Sequence, residues 1–199
     1  MIRHLRACAP RHDLPVGEPV ELLHLRAEAG PTFWLNLEAD SKSTLLDLDQ
    51  FLREVWLECC GHMSAFTIEG REYHVYVSEA FSHLHEQRDM DVELSEILRP
   101  GLEFAHTYDF RTPTELKIRV IEARWGLPEG PLTLLARNEA PVWSCSVCGR
   151  LASMLCRSDS EETEPLFFCR EHGEKHDCGE LDILPVVNSP RMGLCAYAG

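Results

Sequence analysis

The chain has 199 residues, is 44% hydrophobic and carries a formal charge of −14. That is ample apolar material for a packed core, and the wrong sign for a phosphate-binding surface, which needs a basic footprint. Nine cysteines, six of them between Cys145 and Cys195, are too few and too clustered for a secreted disulfide scaffold.

The parts before and after Arg137 are both acidic, so neither half suggests a nucleic-acid binder. The cysteine usage indicates a reducing compartment. Met1–Arg6 has charge without an apolar stretch, so no secretory signal is expected there. No apolar run approaches the roughly 18–20 residues that span a bilayer. These readings predict a soluble cytoplasmic protein with no membrane contact.

Pro10, Pro15, Gly17 and Pro19 break up the first twenty residues, and Glu21–Ala27 reads as a first strand. Phe33–Glu38 alternates and reads as a second. Thr44 with Asp47 three residues on forms the acidic variant of a capping box and predicts a helix start. Leu48, Phe51, Leu52, Val55, Trp56 and Cys59 then give one continuous apolar face. Asp47, Asp49, Arg53, Glu54 and Glu58 take the other side, and Gly61 ends the helix by adopting positive φ. In that helix Cys59 reads as a buried structural thiol, and His62 as a residue facing the C-terminal dipole.

Ser64–Glu69 and Glu72–Val77 flank Gly70-Arg71 and predict a hairpin. Residues 78–93 are polar and read as a loop. Leu94–Leu98 is a short helical turn stopped by Pro100-Gly101. Leu102–Phe110 puts Phe104, His106, Tyr108 and Phe110 on one face. It should pair antiparallel with Thr114–Glu122, a strand with one wet face. Leu132–Asn138 is one more strand. The expected fold class is therefore α+β, a mostly antiparallel sheet packed by one main amphipathic helix. A small C-terminal zinc-binding module follows. The domains are residues 1–138 and 142–199.

The chemistry concentrates in the last quarter. Cys145, Cys148, Cys156, Cys169, His172, His176 and Cys178 place seven soft ligands within 34 residues. Two of the groups, Cys145/Cys148 and Cys169/His172, have the two-residue gap that lets one tight turn aim both side chains at one ion. The stretch Arg157–Glu164 has almost no apolar content, so something other than a core must order it. The front half offers His62, His74, His83, His85, His106 and Asp109, but spacing places no carboxylate beside the paired histidines. Tyr108 and Asp109 could line a cleft, although Asp109 reads more simply as the cap of a turn. No phosphate loop, nucleophile elbow or acidic metal triad is present. The chain is therefore not expected to be an enzyme.

Three stretches resemble the plasmid ORF-3-like domain family, named after a reading frame on a root-inducing plasmid. They are Thr44–Leu52 running into Trp56, His62–Ile68, and Leu102–Phe110 with the charged strand that ends at Val120. The sequence departs from the family at Arg111-Thr112-Pro113-Thr114, where a Gly, acidic residues and a Trp are usual. The resemblance implies a compact α+β domain and no established activity. The Cys/His region resembles a cross-brace zinc module of B-box or MYND-like type, with pairs Cys145/Cys148, Cys156/Asp159, Cys169/His172 and His176/Cys178. In a cross-brace the first and third pairs share one zinc, and the second and fourth share another. Two zinc ions are thus implied. Cys145, Cys148, Cys169 and His172 supply the first set. Cys156, His176 and Cys178 supply three ligands of the second, completed by Asp159 at the pair position or by Cys195. The implied role is a non-catalytic intracellular adaptor that contacts another protein. The alternatives are a mobile-element-associated nucleic-acid factor or metal-dependent hydrolase, and a metal sensor.

Overall fold

The computed structural model describes residues 1–75, 87–157, 165–177, 183–195 and 197–199. Contacts divide the chain into two units, Met1–Arg53 with Met63–Asn138, and Glu54–His62 with Glu139–Gly199.

The first unit begins with α1 (Ile2–Cys8) and a 3-10 turn, Ala9–His12. Then come β1 (Val20–Ala29), β2 (Phe33–Asp40), α2 (Leu45–Leu52), β3 (Ser64–Ile68) and β4 (Arg71–His74). The unit continues with β5 (Gln87–Asp89), α3 (Leu94–Ile97), β6 (Glu103–Tyr108), β7 (Thr114–Gly126) and β8 (Leu132–Arg137). The eight strands form one sheet in the order β5-β4-β3-β6-β7-β1-β2-β8. Neighbours are antiparallel except for β4 and β5. This is the expected α+β class.

The strands follow from their side-chain patterns. Along β7 Thr114, Leu116, Ile118 and Val120 are buried while Glu115, Lys117 and Arg119 are exposed. On β6 Phe104, His106 and Tyr108 turn inward, and Phe110, beyond its end, lies exposed. The β3–β4 turn falls on Glu69-Gly70, one residue before the expected Gly70-Arg71. Both residues have positive φ, 50° and 78°, as a two-residue turn matched to strand twist requires. Two elements depart from expectation. α1 has no side-chain cap and buries only Leu5, so it carries no periodic signal. β5, placed in a predicted loop, is a three-residue polar edge strand without apolar alternation. His83 and His85 lie outside the described residues.

The capping box forms as expected. Thr44 Oγ1 accepts from Asp47 N at 3.2 Å, and Thr44 N donates to Asp47 Oδ2 at 2.8 Å. Asp49 corrects the helix reading. Assigned to the wet side, it is only 2% exposed. His106 Nε2, itself wholly buried, donates to Asp49 Oδ1 at 2.7 Å. Arg53 Nε pairs with Asp49 Oδ2, Arg53 Nη2 donates to Ser64 Oγ at 2.7 Å, and the guanidinium lies 4.8 Å from the centre of the Tyr108 ring. Burial alone would raise the Asp49 pKa. Hydrogen bonds and charge from His106, and bonds from Ser64 and Arg53, outweigh it and hold the carboxyl below its ordinary value. A buried carboxylate survives here because every side of it is occupied by a donor.

Because the folded-state pKa of Asp49 is depressed, its contribution is complete above the ordinary carboxylate range near about pH 4, and is lost as pH falls through the lower folded value. Asp49→Ala should destabilise the first unit by about 3–5 kcal/mol, since it strands a buried cation. In urea unfolding, Asp49→Asn should flatten the acid limb of the midpoint against pH. An unchanged acid limb would show that Asp49 carries no such linkage.

Candidate metal centres

The second unit carries β9 (Met154–Cys156), β10 (Leu166–Phe168), α4 (Arg170–Gly173) and β11 (Ile183–Pro185), with strand order β10-β9-β11. Its first Cys/His cluster is built from two local devices. In Cys145–Arg150 the chain folds into a knuckle. Cys145 N donates to Arg150 O at 2.7 Å, Gly149 N donates to Cys145 O at 2.9 Å, and Gly149 takes φ 71°. The turn aims Cys145 and Cys148 the same way. In the other device Cys169 is the N-cap residue of α4, and His172 follows in its first turn with its N–H bonded to Cys169 O at 3.1 Å. Ser146 N donates to Phe167 O at 2.8 Å and ties the knuckle to β10. Gly173 keeps α4 close to β9, since a Cβ there would meet Met154 Cβ at 3.3 Å and Met154 Sδ at 2.7 Å.

These devices bring the donor atoms of Cys145, Cys148, Cys169 and His172 within 4.8 Å of one another. Cys148 Sγ lies 3.8 Å from Cys169 Sγ, and His172 Nδ1 lies 3.4 Å from Cys145 Sγ and 3.3 Å from Cys169 Sγ. A zinc ion bonded to sulfur at about 2.3 Å and nitrogen at about 2.0 Å has tetrahedral edges of about 3.8 and 3.5 Å. The observed separations lie within a few tenths of an ångström of that figure, so the four donors fit one tetrahedral ion. Cys145 and Cys169 are also core residues, packed with Cys156 and Phe168, against which Ile183 sits.

The electrostatics favour thiolate at two of the three sulfurs. Burial alone would raise Cys145. Backbone N–H groups of Cys169, Cys148 and Val147, with His172, reverse this and hold the thiol at about 5. Cys148 is lowered by Arg150, whose Nε donates to its Sγ at 3.3 Å. The His172 N–H favours the Cys169 thiolate, but burial and the neighbouring thiols push that group up. His172 is raised, first by its bond to Cys145. Arg150 Nη2 also reaches Cys169 Sγ at 3.7 Å and Glu171 Oε2 at 2.7 Å.

The remaining expected ligands are placed differently. Asp159 and Cys178 lie outside the described residues. Cys156 is buried in the core beside Cys145, and the His176 ring sits 4.4 Å from the Phe168 ring. Cys195 converges on Cys59, Cys60 and His62, whose donor atoms likewise all lie within 4.8 Å of one another. The helix expected to hold Cys59 and Cys60 ends earlier, after a π-helical turn at Arg53–Leu57. Ser189 Oγ donates to Trp56 O at 2.6 Å, taking the carbonyl that a continuing α-helix would offer to Cys60. Cys59 is half-buried and Cys60 exposed, so the expectation of a buried structural thiol fails. The closely spaced Cys59-Cys60-Gly61-His62 was the available signal; its partner lies 135 residues away in Cys195.

Among the described residues, the front-half candidates other than His62 (His74, His106, Tyr108 and Asp109) join no such cluster. Tyr108 is buried beneath Arg53, and Asp109 Oδ1 accepts from Arg111 N and Thr112 N at 3.1 and 3.3 Å, capping the turn as expected. A cleft of about 270 Å³ beside β1 and β7 is lined by His24, Glu38, Glu122 and Arg124. Its charges are engaged in ion pairs, Arg124 with Glu38 and Asp13, and Glu122 with Arg6. No helix among the described residues is long and apolar enough to cross a membrane.

His172→Ala should remove one equivalent of metal from the purified chain. Val147→Ala, on the same knuckle but 62% exposed, should leave metal content unchanged. Elemental analysis of both variants checks this, and undiminished metal in His172→Ala would dismiss the first cluster as a binding site.

No family model and no curated protein matches this chain. Among solved structures it is similar to the crystal structure of a protein of unknown function from Methanosarcina mazei Go1, with a TM-score of 0.52 at 16% identity over 61% of this chain and 71% of that one. The likeness is one of fold.

Proposed function

We propose that this protein is a non-catalytic zinc-binding adaptor whose Cys/His unit is held rigid by metal and contacts another protein. The observation that carries the reading is the donor set of the first cluster. Three sulfurs and one imidazole nitrogen fill all four tetrahedral positions, and a closed set is the mark of a structural rather than a hydrolytic zinc. Mixed thiolate and imidazole donors favour zinc over hard cations, which take oxygen. A protein partner is supported by two features. The formal charge of −14 disfavours nucleic acid. The segments bearing the cluster also expose Val142, Val147, Leu151 and Leu166, residue types that interfaces bury. No disulfide joins the eight cysteines among the described residues, which supports a reducing, cytoplasmic setting.

For the first unit we propose membership of the plasmid ORF-3-like family. In support, the three stretches that carry the resemblance converge on one network. Asp49 and Arg53 come from the first, Ser64 from the second, and His106 and Tyr108 from the third.

Cobalt substitution tests the non-catalytic reading. The Co(II) protein should show a four-coordinate, thiolate-rich spectrum that azide and phosphate leave unaltered. A shift to five-coordination on adding either anion would indicate an open position and favour the metal-dependent hydrolase.

A further inference from the structure

We propose that Cys59, Cys60, His62 and Cys195 form a second zinc site, with Arg191 as the buried hydrogen-bond donor that balances its charge. This deepens the zinc-binding reading given above and rests on residues separate from the first cluster.

The donor set repeats the first one, three thiols and one imidazole with all donor atoms within 4.8 Å. Cys60 Sγ lies 3.3 Å from Cys195 Sγ, and Cys195 Sγ lies 3.5 Å from His62 Nε2. A tetrahedral zinc spans about 3.5 Å between sulfur and nitrogen and about 3.8 Å between two sulfurs; the first matches the Cys195–His62 separation, and the Cys60–Cys195 pair is about half an ångström tighter than the second.

Local structure builds the cluster from both sides. On one side the chain leaves the π-helical turn at Leu57, a distortion that often marks functional positions. Gly61, at φ 71°, reverses the backbone between Cys60 and His62, and its N–H is held by Glu58 Oε1 at 2.5 Å. On the other side Cys195 takes φ 53°, a region that non-glycine residues seldom occupy. A conformation of that kind persists where surrounding structure over-determines it. The surroundings are visible. Ser189 Oγ donates to Trp56 O at 2.6 Å, Arg191 N donates to Ser189 Oγ at 2.8 Å, and Arg157 Nη1 donates to Cys195 O at 3.0 Å. The tail is thereby anchored on the segment that carries Cys59.

Arg191 supplies an independent argument. Its side chain is fully buried, and Nη2 points at Cys59 Sγ at 3.7 Å. Three thiolates, one neutral imidazole and one divalent ion carry a net charge of −1, and one guanidinium cancels it. The first cluster also has an arginine at its sulfurs, Arg150, which donates to Cys148 and Cys169 but is exposed and shared with Glu171. Hydrogen bonds to ligand sulfur are a usual means of tuning such sites. Each cluster has one exposed cysteine, Cys60 and Cys148, but the first also has two buried ones, Cys145 and Cys169, and the second has none, so the second ion should leave first.

The test uses the full chain purified without chelator, native mass spectrometry for zinc stoichiometry, and N-ethylmaleimide mapping of protected cysteines. Wild type should hold two zinc ions, with Cys59, Cys60 and Cys195 protected as well as Cys145, Cys148 and Cys169. On graded chelation, the Cys59, Cys60 and Cys195 set should become reactive first. Cys60→Ser/Cys195→Ser should hold one zinc and keep Cys145, Cys148 and Cys169 protected, whereas Cys148→Ser should lose the other ion. The wild-type map stands whether or not the variants fold. One zinc with Cys59, Cys60 and Cys195 freely alkylated would overturn the second site and leave the first. Two zincs with Cys178 protected and Cys60 and Cys195 reactive would overturn it in favour of the cross-brace. A Cys60–Cys195 disulfide in protein kept under reductant would also overturn it. No zinc at all would sink both readings.

Discussion

The second unit depends on the convergence of Cys145, Cys148, Cys169 and His172. Its segments are short, with three-residue strands and a four-residue helix. The core around the cluster consists of Cys145, Cys156, Phe168 and Cys169, and two of those four residues are the ligands themselves. A core of that size cannot offset the conformational entropy of ordering the knuckle, β10 and α4. Four bonds to one ion would tie all three together, and metal binding of this kind is folding free energy. The stacked Trp143 and Phe167 rings, 4.4 Å apart, cover the same region and add packing that the ion alone would not give.

The first unit meets the same difficulty with different means. It has a broad apolar interior, in which Leu25, Leu35, Leu37, Leu48, Ile118 and Val120 are fully buried. Within it sits one carboxylate, Asp49, surrounded by the donors of His106 and Arg53. Such a group adds little net stability over an apolar replacement, but it penalises any arrangement that separates its partners. It therefore acts on specificity, pinning α2 to β6 in one register. In one unit a buried anion is neutralised by side chains; in the other, buried thiols are arranged to be neutralised by a cation.

Much of this was legible in the residues. The capping box at Thr44, the alternation of β7 and the inward face of β6 are local signals, and local signals survive folding. The first cluster was legible for the same reason. Cys145/Cys148 and Cys169/His172 each fit within one turn, so spacing alone announces their common aim. Asp49 was not legible, because helical periodicity places a charge on the wet face unless a distant partner draws it in, and His106 lies 57 residues away. Helical periodicity carries the apolar face on through Cys59, and nothing local marks the end of the helix before it. The hydroxyl that takes Trp56 O belongs to Ser189, 133 residues on. Cys195 is a candidate ligand by residue type, but its distance in sequence from Cys60 hides the match. β5 and α1 carry too few apolar residues to leave a pattern.

Zinc enclosed by thiolate and imidazole donors would hold the second unit together. Zinc-edge X-ray absorption of the purified full chain tests it most directly. The expected result is a four-coordinate shell averaging three sulfurs at about 2.3 Å and one nitrogen at about 2.0 Å. A shell dominated by oxygen and nitrogen, or expanded to five or six ligands, would contradict it.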